Sequence, residues 1–112
     1  MTLRFGEAVL IRMQFHQATG AKVRPAVVLI DTGDDDFVAA PITSQARHSD
    51  YDLAMEDWRG AGLNVASYIR VRKLTVLAKA DIVRSLAPLP ERDREPLILL
   101  LCRALCRRTT GT

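Results

Sequence analysis

The apolar run from Val23 to Ile30, VRPAVVLI, constrains the fold of this chain more than any other segment. It is nearly continuous in apolar residues and rich in β-branched ones, a pattern typical of a strand buried on both faces. Because Pro25 has no backbone N–H, we expect it near the start of this strand or at an edge. The segments on either side also have β-type composition, so the run predicts the middle strand of a three-stranded meander.

Further strands are predicted before and after this run. Val9 to Phe15 alternates apolar and polar residues as a half-buried strand does. Phe37 to Ser44 follows the turn sequence DTGDDD and ends in two hydroxyl residues. Later segments of β-type composition are Tyr51 to Leu53, Val65 to Leu77 and Ile82 to Leu86.

Alternation within Val65 to Leu77 predicts one cationic face, since successive residues of a strand point to opposite sides. One side carries Ser67, Ile69 and Val71, and the other carries Tyr68, Arg70 and Arg72.

The C-terminal segment predicts one α-helix, from about Arg94 to Arg107, with basic residues at its end. With Asp93 as N-cap, Pro96 falls in the first turn, where its missing N–H costs nothing. Apolar residues run without a break from 97 to 101, so the helix needs burial on two sides, by its own sheet and by a second subunit. We expect the two cysteines, 102 and 106, to pack on this helix.

Five or six short strands followed by one helix, in 112 residues, predict a single mainly β domain spanning residues 1–112. A small SH3-like β-barrel with the helix over an open end fits best. The composition, 48% apolar and 26% charged, is that of an ordinary globular protein and excludes a disordered or fibrous chain.

Several classes of function are disfavoured by the same sequence. No apolar stretch approaches the roughly 20 residues that cross a bilayer, and no secretory signal is readable, so we expect a cytoplasmic protein without a membrane partner. A net charge of +3 permits nucleic acid as a partner without demanding it. Two cysteines make neither a disulfide framework nor a metal-ligand set, and no cofactor motif occurs, so we expect no metal and no cofactor.

Arginines and hydroxyls at strand ends are the residues best suited to chemistry. Arg24 opens the most apolar strand, Thr43 and Ser44 end the next, and Arg70 lies on the cationic face. Guanidinium forks and hydroxyl donors suit phosphate, although salt bridges and strand caps would explain the same spacing. His16 follows the first strand, as a solvated loop residue or as a substrate-binding one.

Four longer segments carry a family resemblance: GEAVLIRMQF from residue 6, KVRPAVVLID from 22, VAAPITSQ from 38 and YDLAMEDWRGAGLNVASYIRVRKLTVL from 51. Together they resemble the MazF/PemK (Kid) toxins of bacterial toxin–antitoxin pairs over most of residues 6 to 89. The most specific matches are the Arg-Pro step, the Pro-Ile-Thr-Ser strand end and the Tyr-Ile-Arg-Val-Arg-Lys-Leu strand.

The resemblance implies an SH3-like barrel, a homodimer and a metal-independent endoribonuclease that cuts single-stranded RNA. It also implies a cognate antitoxin that lays an acidic segment over the RNA site. By the same resemblance Arg24 and Thr43 are catalytic, and Ser44 and Arg70 bind substrate. One branch of the family has an aspartate where this chain has Arg72, which removes a candidate base and makes Arg72 either an RNA-backbone ligand or a solvated strand charge.

Two other functions stay open at this point. A catalytically silent SH3-like module could bind RNA or a protein without cutting it, because a fold does not fix function. A toxin that poisons a topoisomerase is the second, because a gyrase-poisoning family resembles this fold.

Overall fold

The computed structural model describes residues 1–14, 21–46 and 49–106. Seven strands precede one helix, against the five or six strands and one helix that the sequence predicts. The strands are β1 (Glu7–Gln14), β2 (Ala21–Asp31), β3 (Asp36–Thr43), β4 (Asp52–Ala54), β5 (Tyr68–Arg70), β6 (Thr75–Ala78) and β7 (Ile82–Pro88). Two single-turn 3₁₀ helices, Val71–Lys73 and Lys79–Asp81, flank β6, and α1 covers Glu91–Leu105.

The strands form one antiparallel sheet in the order β4-β5-β3-β2-β1-β7, with β6 paired to β3. The class predicted from the sequence, mainly β with a C-terminal helix on a small curled barrel-like sheet, is confirmed. Within the described residues, hydrogen bonding ends at β4 on one side and at β7 on the other, so the ladder does not close into a ring.

The middle of strand β2, residues 26–29, is buried on both faces as its composition predicts, but Val23 and Ile30 at the ends of the predicted run are exposed. Val27 and Leu29 pack into one apolar cluster with Leu97 and Leu100 of α1. Their neighbours Ala26 and Val28 belong to a second cluster on the opposite face, together with Val9, Ile11, Phe37 and Ala39. The helix therefore covers one face of the curled sheet, and strand side chains fill the other.

Pro25 occupies a position that tolerates its missing N–H. It pairs with Leu10 of β1, but pairing of β2 with β3 begins only at Ala26. The edge position expected for Pro25 is thus found on the β3 side, where no ladder bond is lost.

The prediction of one continuous strand from Val65 to Leu77 is wrong. Strand β5 ends at Arg70, the 3₁₀ turn Val71–Lys73 follows, and β6 pairs separately with β3. The alternation of burial survives this break, since Ser67, Ile69 and Val71 are all buried. Turning the chain after Arg70 lets β5 and β6 both pair with β3.

The predicted start of the helix is also wrong. Helix α1 begins at Glu91 with Pro90 at the N-cap, so Asp93 lies in the first turn and Pro96 lies inside the helix. The Asp93 carboxylate accepts the N–H of Glu56 at 2.6 Å and that of Asp57 at 2.9 Å. Asp93 thus caps a distant loop rather than its own helix.

At the C-terminal end of α1, the surroundings of the two cysteines differ from the prediction. Both thiols, Cys102 and Cys106, are exposed rather than packed, and the described helix ends at Leu105. Arg107, the expected last residue, lies outside the described residues, as does Phe15 at the end of the first predicted strand. Among the described residues, no helix combines the length and apolarity that crossing a membrane requires.

Candidate nucleic-acid interface

An open cavity of about 1170 Å³ lies along the sheet, and four residues predicted to act together line it. These are Arg24, Thr43, Ser44 and Arg70, which come from three different strand segments. The structure thus brings together side chains up to 46 positions apart in the chain (70 − 24 = 46).

The register of β2 against β3 brings Arg24 close to Thr43. Ala26 lies opposite Pro41, and Arg24 and Thr43 each lie two residues beyond that pair. Because side chains alternate along a strand, a step of two residues keeps the same face. Arg24 and Thr43 therefore share one face at the end of the β2–β3 ladder.

The register of β3 against β5 adds Arg70 to this face. Thr43 lies opposite Tyr68, and Arg70 is two residues further along β5. Arg70 is partly buried, and its Nε is shielded from solvent without a hydrogen-bond partner among the described residues. Arg70 also lines the cavity, so its Nη donors are the ones that can reach a ligand there.

The Thr43 hydroxyl is oriented by its own backbone. Its Oγ1 accepts the N–H of Gln45 at 3.1 Å, a local turn that ends the strand. With a lone pair engaged in this bond, the hydroxyl hydrogen is available to donate into the cavity.

Three further cations line the cavity, and the sequence did not single them out as site residues: Arg12, Lys73 and Arg84. With Arg24 and Arg70 they make five basic side chains, against Asp81 as the one lining carboxylate among the described residues. Arg84 pairs with Leu10 and so shares a face with Arg12, whereas Arg24 pairs with Ile11 and lies on the other face of the ladder. All three arginines nevertheless line the same open cavity. Such an excess of positive charge in a cleft attracts polyanions.

A loop before β5 forms another wall. Gly62, Leu63, Asn64 and Val65 line the cavity, and Gly62 adopts a φ of 91°, which favours glycine. The buried Ser67 hydroxyl donates to the Val65 carbonyl at 2.8 Å and holds this loop in place. Here an amide and an exposed apolar side chain face the same space as the cations.

The remaining predicted site residues lie elsewhere. Arg72 is outside the cavity lining, with its Nε 3.8 Å from Asp52 Oδ1. That separation makes an ion pair but not a hydrogen bond. His16 lies outside the described residues. Among the described residues, no group of three or more His, Cys, Asp or Glu side chains is placed to hold a metal ion.

The cavity has the chemistry of a site for a phosphodiester chain. Planar guanidinium groups bind phosphate oxygens in pairs, hydroxyls donate beside them, and the apolar and amide groups of the 62–65 loop can contact bases. Arg12 and Arg84 stand in β-type segments that also contain the polar residues Gln14 and Ser85, so the local pattern does not mark them as site residues.

Comparisons with known proteins agree with this architecture. Among solved structures, an endoribonuclease in complex with its cognate antitoxin, from a mycobacterial species, has a TM-score of 0.73 and 16% identity; the match covers 96% of this chain and 98% of that chain. The Mycobacterium tuberculosis toxin MazF-mt6 has a TM-score of 0.68 and 18% identity, over 89% of this chain and 98% of that chain. An endoribonuclease from a mycobacterial species has a TM-score of 0.67 and 15% identity, over 90% and 88% respectively. At these identities the likeness shows a common fold.

The sequence also matches a family directly. No curated protein matches the chain. A family model described as "PemK-like, MazF-like toxin of type II toxin-antitoxin system" matches residues 4–105. Because that match spans nearly the whole chain, the protein belongs to the family of PemK-like and MazF-like toxins of type II toxin–antitoxin systems.

Proposed function

We propose that this toxin is a metal-independent endoribonuclease that cuts single-stranded RNA, mRNA above all, at short sequences. The observation that carries the proposal is the convergence of Arg24, Thr43 and Arg70 on one cation-rich open cavity. Solved structures of the same fold include proteins named as endoribonucleases, which supports the same reaction class here.

The proposed reaction is attack of a ribose 2′-hydroxyl on the adjacent phosphorus. The bond from phosphorus to the 5′-oxygen breaks, and the leaving oxygen takes a proton from water, which leaves a 2′,3′-cyclic phosphate and a 5′-hydroxyl end. Negative charge grows on the phosphoryl oxygens in the transition state, where Arg24 and Arg70 stabilise it. Thr43 holds the phosphate in line with the attacking oxygen, and Ser44 binds beside it. DNA lacks the 2′-hydroxyl and is not a substrate.

The attacking hydroxyl must also lose its proton. A guanidinium stays protonated at ordinary pH, so Arg24 acts as an electrostatic stabiliser rather than as a base. Among the described residues, Asp81 is the carboxylate that lines the cavity. Asp81 is therefore proposed as the general base that accepts the proton of the 2′-hydroxyl. One branch of the family has an aspartate, a candidate base, where this chain has Arg72. In this chain Asp81 would take the place of that candidate base.

The decisive experiment incubates purified protein with a single-stranded RNA in excess EDTA. Fragments with 5′-hydroxyl ends, which polynucleotide kinase labels without prior phosphatase treatment, are expected. Arg24→Ala should abolish cleavage, and Arg92→Ala, which removes an exposed arginine of α1, should not. Uncut RNA with folded wild-type protein would overturn the proposal, and RNA binding without cleavage would favour a silent binding module. DNA damage in cells with intact mRNA would point instead to a topoisomerase poison.

The proposal includes two protein partners. A cognate antitoxin with an acidic segment would neutralise the five lining cations, and a solved structure of the same fold is a complex with its antitoxin. A second copy of the chain would cover the outer face of α1, where Leu99 and Leu105 are 68% and 65% exposed. The proposed place of action is the cytoplasm, and His16 and Arg72 stay predicted RNA-binding residues.

A further inference from the structure

Asp52, on the short edge strand β4, is a buried carboxylate with no hydrogen bond. Its side chain is 1% exposed, and neither oxygen has a hydrogen-bond partner among the described residues. A carboxylate withdrawn from water is costly unless cations compensate it. We therefore expect cationic side chains close to the Asp52 carboxylate.

Two arginines supply that compensation. Arg70 lies directly opposite Asp52 in the β4–β5 ladder, so the two side chains share one face. Arg72 brings its Nε to 3.8 Å from Asp52 Oδ1. The register between the strands is held beyond the ladder by the N–H of Val71, which donates to the Tyr51 carbonyl at 2.9 Å.

The buried polar atoms of Asp52 and Arg70 are complementary. Arg70 Nε is a buried donor without an acceptor, and Asp52 offers two buried oxygens without donors. A buried donor or acceptor without a hydrogen bond is unfavourable. A small rotation of the Arg70 or Asp52 side chain that joins the Nε–H to a carboxylate oxygen would remove the cost of both unpaired groups. An arginine bonded to a carboxylate along its Nε edge still has its end edge, formed by one N–H of each Nη group, free for a second ligand. Arg70 lines the cavity, so a ligand there can use that edge.

We propose that Asp52 is a positioning residue of the RNA site: its carboxylate restrains Arg70 and Arg72 by charge, and it accepts the Nε–H of Arg70 when RNA phosphate engages the Nη groups. This inference rests on the proposed function. Asp52 touches neither the RNA nor the reacting atoms. It acts through the orientation of the guanidinium groups.

Cleavage kinetics test this role with a matched pair of variants. Asp52→Asn keeps the shape and removes the charge, and Asp50→Asn makes the same change at an exposed residue two positions away. Asp52→Asn should lower kcat by about 10- to 100-fold, because a misplaced group costs rate rather than substrate affinity alone. Asp50→Asn should stay within about twofold of wild type. Equal kcat for the two folded variants would overturn the proposal.

A double-mutant cycle separates positioning from a structural role. If Asp52 acts through Arg70, Asp52→Asn should have little further effect on kcat in an Arg70→Ala background. A purely structural role predicts the same loss in both backgrounds. Where cleavage by Arg70→Ala is too slow to measure, affinity for an uncleavable 2′-O-methyl oligoribonucleotide serves as the readout of the same cycle.

A spectroscopic test does not depend on cleavage. In ¹⁵N-labelled protein with the 2′-O-methyl oligoribonucleotide, the Arg70 Nε–H signal, assigned by its loss in Arg70→Lys, should exchange slowly with water. Asp52→Asn should accelerate that exchange, and Asp50→Asn should not. An Nε–H signal unaffected by Asp52→Asn, at unchanged thermal stability, would refute the positioning role even if the wild type cuts RNA. Should the wild type neither cut nor bind RNA, the proposed function fails. The exchange of the Arg70 Nε–H in the free protein, wild type against Asp52→Asn, then tests the restraint of Arg70 by the charge of Asp52.

Discussion

Arg24 and Thr43 lie on adjacent strands, two residues beyond the Ala26–Pro41 pair and on the same face of the sheet. This juxtaposition places a planar cation beside a hydroxyl whose oxygen is held by the Gln45 N–H. In the proposed reaction, this is the pair of donors that would contact the scissile phosphate.

Arg24→Lys is expected to abolish most cleavage although it keeps the charge. Lysine lacks the rigid fork that contacts two phosphoryl oxygens, so kcat in single-turnover assays should fall by about 10²- to 10³-fold. RNA affinity should fall less, because long-range attraction survives. Arg92→Lys on the exposed face of α1 serves as control, and near-normal cleavage by Arg24→Lys would contradict the role of the guanidinium fork.

The sequence predicts a residue of this site only where the neighbouring residues in the chain already indicate its position. Arg24 and Thr43 could be found because each stands at the end of a recognisable β-type segment, and Arg70 because alternation within such a segment places it on a cationic face. Arg12 and Arg84 could not be found in this way, because the sequence around an arginine in a strand is the same whether its side chain faces bulk solvent or a cavity. Only the pairing of β1 with β2 and β7 decides between those surroundings.

The errors in secondary structure have a similar cause. Asp93 has the residue type of an N-cap, but its carboxylate accepts the N–H groups of Glu56 and Asp57, and the helix begins two residues before it, at Glu91. The break after Arg70 contains neither glycine nor proline. It is imposed by the pairing of two strands with β3, which no short window of sequence reveals.

RNA binding should weaken steeply with salt. For single strands the log–log slope is about −0.7 per phosphate contacted, so four or five contacts give a slope of roughly −3. Arg84→Ala should reduce the magnitude of that slope by about 0.7, and Arg92→Ala should leave it unchanged. Fluorescence anisotropy with a 2′-O-methyl oligoribonucleotide at several salt concentrations measures it. Equal slopes for wild type and Arg84→Ala would remove Arg84 from the interface.

Asp81→Asn separates binding from proton transfer. Loss of the one carboxylate among the described lining residues should leave affinity for RNA equal to or higher than that of wild type, because a repulsive charge is gone. Cleavage should nevertheless slow by at least about 10²-fold, the usual contribution of a general base. Asp35→Asn, in the exposed turn between β2 and β3, provides the control. Unimpaired cleavage by Asp81→Asn would assign the proton to another group.

A charge on the outer face of α1 should split the proposed dimer. Leu99 is 68% exposed in the single chain, and burial of a leucine against a partner contributes about 2 kcal/mol per copy. Leu99→Glu should therefore shift the mass measured by light scattering from two chains to one. Val76→Glu, at a similarly exposed position on β6, should leave the mass unchanged. A wild-type protein that is monomeric at high concentration would contradict the dimer directly.

Stability should depend on pH through Asp31 at the end of β2. The Leu3 N–H donates to its Oδ2 at 2.8 Å, Lys79 Nζ lies 2.8 Å from its Oδ1, and the Gly33 N–H donates to the same oxygen. These bonds, that of Leu3 first, hold the pKa of Asp31 well below its ordinary value. Because these bonds stabilise the ionised carboxylate, they add their full stability to the folded state at every pH at which Asp31 is ionised in the unfolded chain too.

That gain should be complete above an unfolded-state pKa of about 3.9 and should disappear as the pH falls through the lower folded-state pKa. Asp31→Asn should therefore be less stable than wild type at pH 7 in urea unfolding, and the difference should shrink steadily from about pH 5 downward. Asp35→Asn, in the same acidic turn, is the matched control and should show a smaller effect at pH 7. A stability difference between Asp31→Asn and wild type that stays constant from pH 7 to pH 2 would show that the ionised carboxylate does not anchor Leu3 and Lys79.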